Sequence, residues 1–340
     1  MNPTPSRLAR GYQLAFSVAF FIILLLPLRR LTLSPGDLEA NFFGRAWLIQ
    51  EFNLARVALG DRVFPKTIVG DEGWVFYRAE KSLDDYQNAI PLSETDLTEI
   101  QTNLDALASA YAARGIQLLV VIVPDKATIY GDYLPPEIPI LGAESRLDQL
   151  TAYLAAHGTP LLDLRPALRA ARETQQVYFK TDTHWNDYGA YVGYTEMLRA
   201  LGLEPFPLDA FDVKSAGLKL LDLSRNMGTN ILEERIDLLA PDDAVRYRKL
   251  PLADGRNLTL TYHEDQSLPR AVIYHDSFFF QLIPMFAPHF RQITFIPHYT
   301  GGEIWNLDWV EEEQPDIVII EFAERYLADL ARLVKPREVR

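Results

Sequence analysis

Gln117-Leu118-Leu119-Val120-Val121-Ile122-Val123, closed by Pro124, is the stretch on which the fold turns. An unbroken aliphatic run of this length, bounded by Gly115 and a proline, fits a parallel strand covered on both faces. Before it, residues 93–114 carry Leu97, Ile100, Leu104, Leu107 and Tyr111 at helical spacing, with Ser93 or Thr95 as N-cap. The cycle repeats with helix 144–157, strand 160–164 and helix 187–201, and further strands are predicted at 271–274, 292–296 and 316–320. Alternating helices and buried strands predict an α/β chain, a three-layer sandwich around a mainly parallel sheet.

Outward from that core the signals weaken. Residues 40–60 have apolar positions at helical spacing, and Thr67 to Tyr77 reads as a hairpin around Asp71-Glu72-Gly73. Residues 203–265 are irregular and rich in Asp, Leu and Pro, and are expected to run over one face of the sheet. There is no internal repeat, so the division expected is 1–34 and a single domain at 35–340.

Composition narrows the functions. The 340 residues hold 33 basic and 46 acidic side chains, a formal charge of −13, which argues against a nucleic-acid partner. With no cysteine, disulfides, thiolate metal sites and a cysteine nucleophile are excluded. Residues 1–36 invert the trend, with four arginines and no acid. Within them Leu14 to Leu28 reads LAFSVAFFIILLLPL between Arg7-Arg10 and Arg29-Arg30, the length and flanks of a membrane anchor at the short end of what spans a bilayer. No small residues follow it in a cleavage pattern, which favours an uncleaved signal anchor over a removed leader. A buried core helix is the competing reading.

Two polar segments hold candidate chemistry. In Tyr178-Phe179-Lys180-Thr181-Asp182-Thr183-His184-Trp185-Asn186, Asp182 and His184 are two apart, so on extended backbone they leave the same face. A carboxylate there fixes the imidazole tautomer and stabilises the imidazolium. In Ala271-Val272-Ile273-Tyr274-His275-Asp276-Ser277-Phe278, a strand runs into a serine that opens a turn, where open α/β sheets place ligands. Ser277 is therefore the candidate nucleophile, its own N–H able to face an oxyanion. Each segment alone also reads as a helix cap; together they supply nucleophile, base and orienting acid. A metal site built from Asp182, His184, His275 and Asp276 is disfavoured, since no familiar helical ligand spacing is present. His263, His289 and His298 read as core or surface residues.

Asp182-Thr183-His184-Trp185-Asn186, Val123-Pro124-Asp125-Lys126, His275-Asp276-Ser277-Phe278 and Pro315-Asp316-Ile317-Val318-Ile319 with Glu324-Arg325 resemble the SGNH-hydrolase-like domain of AlgX/AlgJ-type alginate O-acetyltransferases, from about Val69 to Leu327. That resemblance implies Asp182 as orienting acid, His184 as general base and Ser277 as acetyl carrier. It further implies acetyl transfer to an exported polysaccharide, with a membrane-bound O-acyltransferase as donor and no cofactor. The anchored chain would then be a single-pass protein of the inner membrane, its N-terminus cytoplasmic and its domain periplasmic. A polysaccharide O-acetyl esterase and a non-catalytic scaffold are the rivals.

The order Asp182, His184, Ser277 is circularly permuted relative to ordinary SGNH hydrolases. By that analogy Gly301 and Gly302 take the oxyanion-glycine position and Arg325 lies beside the usual oxyanion asparagine. Trp185, Tyr299, Trp305, Trp309 and Tyr326 are candidate sugar platforms, and Lys126, Lys180, Arg225 and Arg325 candidate acceptor contacts. His275 stands where the family has glycine before Asp-Ser.

Overall fold

The computed structural model of the protein describes residues 18, 44–241, 244–251, 257–298, 310 and 312–333. The chain divides into Met1–Gly60 and Asp61–Arg340. In the first unit helix α1 spans Arg45–Ala58, with Trp47 and Phe52 exposed. The apolar run Leu14 to Leu28 lies outside the described residues except for Val18; among the described residues no helix is long and apolar enough to cross a membrane.

The second unit opens with the expected hairpin, β1 (Thr67–Val69) antiparallel to β2 (Val75–Tyr77). A short helix α2 (Ser82–Tyr86) leads to α3 (Glu94–Ala112), whose N-terminus is closed by a capping box between Ser93 and Asp96. Strand β3 (Gln117–Val123) follows, then the one-turn helix α4 (Lys126–Tyr130) and α5 (Arg146–His157), which has its own capping box from Ser145 and Asp148. Next come β4 (Leu162–Asp163), α6 (Arg165–Arg172) and α7 (Asp187–Ala200). Beyond them lie β5 (Asp212–Leu220), α8 (Asp222–Met227), β6 (Leu232–Leu239), β7 (Arg246–Pro251) and β8 (Asn257–Tyr262). The chain returns through β9 (Arg270–His275), β10 (Gln292–Pro297) and β11 (Ile317–Ala323).

Seven strands form the central sheet in the order β4-β3-β11-β9-β10-β8-β7. The first five run parallel; β8 and β7 continue antiparallel. Alternation along each strand sends Val121, Val123, Ile273 and Ile319 to one face, against Tyr194, Met197 and Leu198 of α7. Val120, Ile122, Val272 and Ile320 go to the other, against Ile100, Leu104 and Tyr111 of α3 and Leu150 and Leu154 of α5. Each such buried aliphatic side chain contributes roughly 1.5–3 kcal/mol over its exposed state, which is why the strands read as continuous apolar runs.

The expectation for 203–265 needs correcting. Only β5 and β6 stand apart, as an antiparallel hairpin; β7 and β8 are strands of the main sheet. Their half-exposed position lets Arg246, Arg248, Lys249 and Asn257 occupy strand positions, so no apolar run marks them.

From β3 the chain moves outward to β4, from β9 it moves the other way to β10, and β11 inserts between β3 and β9. That reversal opens a crevice at the carboxyl ends of the three central strands. Asp125 and Lys126 follow β3, Asp276 and Ser277 follow β9, and Glu324 and Arg325 follow β11.

Gly189 marks the tightest approach beside that crevice: a Cβ there would meet the Val177 carbonyl oxygen at 2.0 Å and the Trp185 Cβ at 2.9 Å. Helix propensity alone makes Gly→Ala stabilising by about 1 kcal/mol. Packing reverses the sign, and Gly189→Ala is expected to lower stability by about 1–3 kcal/mol in urea unfolding. An unchanged or raised midpoint would show that α7 does not press on the 177–185 loop.

Candidate active site

The loop before α7 is folded back on itself. The Asn186 N–H donates to the Val177 carbonyl at 3.0 Å, Tyr178 and Trp185 form a single antiparallel bridge, and the Asn186 side chain caps α7 by accepting from the Gly189 N–H. Between those ends Asp182, Thr183 and His184 project with no regular structure of their own. Lys126 holds them from below: its ammonium donates to the carbonyls of Phe179 at 3.0 Å, Lys180 at 2.9 Å and Asp182 at 2.6 Å. Glu233 on β6 holds them from the side, accepting from the Lys180 and Thr181 N–H groups at 2.8 Å each.

Ser277 is fixed through its two neighbours. The Asp276 carboxylate accepts from the Phe278 N–H at 2.8 Å, capping the turn, and from the Ala323 N–H of β11 at 2.7 Å. On the other side, the Trp185 indole donates to the Phe278 carbonyl at 3.0 Å. One buried indole therefore joins two segments 93 residues apart in sequence.

These constraints bring the three predicted residues into a row. Asp182 Oδ1 accepts from His184 Nδ1 at 2.6 Å, and His184 Nε2 lies 2.8 Å from Ser277 Oγ. Asp182 also accepts from the His184 N–H at 3.1 Å and, through Oδ2, from the Asp222 N–H at 3.3 Å. Burial opposes ionisation of Asp182, but the His184 hydrogen bond and charge outweigh it and hold the carboxyl down at about 2. A carboxylate ionised across the physiological range keeps Nδ1 protonated and leaves Nε2 free to take a proton. A cleft of about 330 Å³ opens over the row, touching Asp182, His184 and Ser277. Among the described residues no hydrogen bond engages the Ser277 N–H, which opens the turn and is available to an oxyanion.

Other expectations fare differently. Trp185 is wholly buried, edge-on to Phe278, and braces the serine turn rather than offering a face to sugar. Lys126 is buried and spends its protons on backbone carbonyls, so it organises the loop instead of meeting an acceptor. Burial pushes its ammonium down to about 8, against the opposing pull of Asp222 and Asp182. Arg325 is buried in an ion pair with Asp125, its guanidinium 5.5 Å from the Phe278 ring, and supports the turn from beneath. Gly301, Gly302, Tyr299, Trp305 and Trp309 lie outside the described residues. His275 ends β9 fully buried, donates Nδ1–H to the Asp276 carbonyl, and is pushed down to about 4 by burial, so it stays neutral and adds no second base.

Two acids, Asp222 and Glu233, give no signal in the sequence, and a third, Glu324, enters it only within the Glu324-Arg325 pair of the resemblance, with no role attached. Asp222 accepts from the Thr183 N–H at 2.8 Å and hydroxyl at 2.5 Å, fixing the residue between Asp182 and His184. Asp182, His184 and Asp222 bring ligand-type atoms within 4.8 Å of one another, yet these groups are already engaged with each other and with Thr183. Glu233 holds the loop as described. Glu324, beneath the site, accepts from the Asp125 N–H at 2.9 Å and the Thr128 hydroxyl at 2.5 Å. Their partners are distant in sequence, and no spacing rule finds them.

Fold and site together define the class: an α/β domain with a mainly parallel sheet carrying a serine–histidine–aspartate row. A family model described as "SGNH hydrolase-like domain, acetyltransferase AlgX" matches residues 67–229. The chain is 23% identical over 279 residues to a probable alginate O-acetylase AlgJ of Azotobacter vinelandii, covering 77% of this chain and 70% of that protein. With the Pseudomonas aeruginosa protein of the same description it shares 28% over 126 residues, 37% of this chain and less than a third (30%) of the relative. The O-acetyltransferase domain of Pseudomonas putida AlgJ superposes with a TM-score of 0.51 at 20% identity, covering 78% of this chain and 93% of that domain. Similarity to the AlgX/AlgJ SGNH hydrolase-like domain therefore runs through residues 67–229 by family model, and through 279 aligned residues of the Azotobacter relative at 23% identity.

Glu324 yields a pH prediction. Burial, then the Asp125 charge, raise its carboxyl to about 8. A folded-state value above the unfolded one contributes stability that is complete below about 4.5 and is lost as pH rises through 8. Glu324→Gln keeps the acceptor oxygen without the titration. Between pH 5 and 9, wild type should lose stability relative to the variant in urea midpoints; parallel curves would refute the assignment.

Proposed function

We propose that the protein transfers acetyl groups to hydroxyls of an exported, alginate-like polysaccharide through an acetyl-Ser277 intermediate. The observation carrying this reading is the continuous row from Asp182 through His184 to Ser277, open to a cleft. As Ser277 Oγ attacks the acetyl carbonyl, its proton passes to His184 Nε2 and Asp182 stabilises the imidazolium. The tetrahedral oxyanion faces the Ser277 N–H. Collapse expels the donor's leaving group, which takes the proton from His184. A sugar hydroxyl then gives its proton to His184 and attacks the acetyl carbonyl. The second tetrahedral adduct collapses with Ser277 Oγ leaving and taking that proton from His184, which regenerates the enzyme with the acetyl on the sugar.

The donor in this reading is a membrane-bound O-acyltransferase. The chain is held in the inner membrane by Leu14 to Leu28 with its domain in the periplasm, and protection of that domain from protease in spheroplasts would reverse this topology. Esterase and transferase differ only in whether water or sugar attacks the acyl-enzyme, and release of acetate alone with every acceptor would favour the esterase. A scaffold would leave polymer acetylation intact in a Ser277→Ala strain.

Ser277→Ala should abolish both labelling by a sulfonyl fluoride and acetyl transfer from an activated ester. Asp182→Asn, which disturbs the tautomer while keeping the shape, should lower turnover on the order of 10⁴-fold. Near-normal turnover in either variant would remove the mechanism.

A further inference from the structure

Strand β6 walls one side of the cleft over Ser277, contributing Arg235, Asp237, Leu238 and Leu239. The register of the β5–β6 hairpin decides what that wall offers. Glu233, Arg235 and Asp237 alternate onto one face of β6. Across the ladder Lys219 stands opposite Glu233 and Lys214 opposite Asp237, so each of these acids faces a cation. Between them the β5 bulge sets Gly217 opposite Arg235. Gly217 has φ +74°, a left-handed conformation that favours glycine, so no side chain from β5 meets the guanidinium.

Arg235 is the permanently cationic side chain lining the cleft among the described residues, and it is 40% exposed. Its Nε donates to Asp237 Oδ1 at 2.8 Å, which fixes the guanidinium plane. Among the described residues Nη1 and Nη2 make no hydrogen bond. A planar fork with both terminal nitrogens open matches the two oxygens of a carboxylate. The acids of the same cleft leave that fork free. Asp237 takes the Nε edge, and Asp182 is committed to His184 and to the Asp222 N–H. Asp187 is only 6% exposed and accepts from the Leu238 N–H at 3.3 Å, behind the cleft surface. Lys126 and Arg325 are committed beneath the site, to backbone carbonyls and to Asp125.

We propose that Arg235 reads the acceptor, binding the carboxylate of a uronate ring bidentately through Nη1 and Nη2 and so presenting that sugar's hydroxyl to the acetyl carbonyl on Ser277. The assignment rests on the acetyl-transfer reading and names the residue by which that site tells an acidic sugar from a neutral one. A carboxylate on the outer edge of the guanidinium lies away from Asp237 on the Nε edge, with the cation between them. Because the fork is partly exposed to water, its effect is modest and weakens with salt.

The test uses the full chain in detergent with p-nitrophenyl acetate as acetyl source and hexamannuronate and mannohexaose as size-matched acceptors. The readout is the ratio of their kcat/KM values within one variant, so a loss of folded protein cancels. Formation of acetyl-Ser277 is followed separately, by the p-nitrophenolate burst and intact mass. We expect wild type to favour hexamannuronate about tenfold at low salt, with the ratio falling as salt rises. Arg235→Gln should bring the ratio close to one, chiefly through KM for hexamannuronate. Arg235→Lys keeps the charge but not the fork and should recover at most part of it. A wild-type ratio at or below one, or a ratio unaltered in Arg235→Gln, overturns the assignment while leaving acetyl transfer intact. Full recovery by lysine overturns the bidentate contact. A missing burst, or a burst with acetate released and neither hexamer acetylated, fails one step earlier and removes the transfer reading, and the assignment with it.

Discussion

A single buried ammonium carries the site. Lys126 sits just past the end of β3, and its three hydrogen bonds run to the carbonyls of Phe179, Lys180 and Asp182, in a loop with no sheet or helix to hold it. Taking a lysine out of water costs free energy unless every proton finds a partner. Here each does, and what the protein obtains is a fixed position for the carboxylate that orients His184. Because Lys126 is tied to a central strand, the geometry of the Asp182–His184 pair is referred to the sheet.

The serine half is referred to the same sheet by different means. Asp276 bridges the end of β9 to Ala323 of β11, while Trp185 reaches across to the Phe278 carbonyl. Arg325 lies under the same phenyl ring and is paired with Asp125, the residue before Lys126. Loop, turn and strand ends thus form a closed circuit in which the 2.8 Å approach of His184 to Ser277 is the last link. The polar residues beneath the cleft act through that circuit and not by touching a substrate.

Much of this was legible in the chain. The strands at 117–123, 271–274, 292–296 and 316–320 announced themselves because both of their faces are covered, leaving uninterrupted aliphatic runs. Asp182, His184 and Ser277 were found from a two-residue spacing and a strand running into a turn. Sequence does not say which way a side chain faces: Trp185, Lys126 and Arg325 lie in the right segments but point into the protein interior. Asp222 and Glu233 were invisible, and the role of Glu324 was hidden though the residue sat in a motif, because their partners come from elements far away in the chain. Strands β7 and β8 were missed because an exposed edge tolerates charge, and charge erases the pattern that reveals a strand.

That edge has its own consequence. At one margin of the sheet β7 displays Arg246, Arg248 and Lys249 and finishes at Pro251, which has no amide proton to donate; at the other, β4 is only two residues long. Neither margin presents a flat, uncharged ladder onto which a second molecule's strand could zip. A parallel core of this kind is slow to assemble and prone to sticking while it does so. The same arginines that hid β7 from the sequence reading are a guard against cross-β self-association.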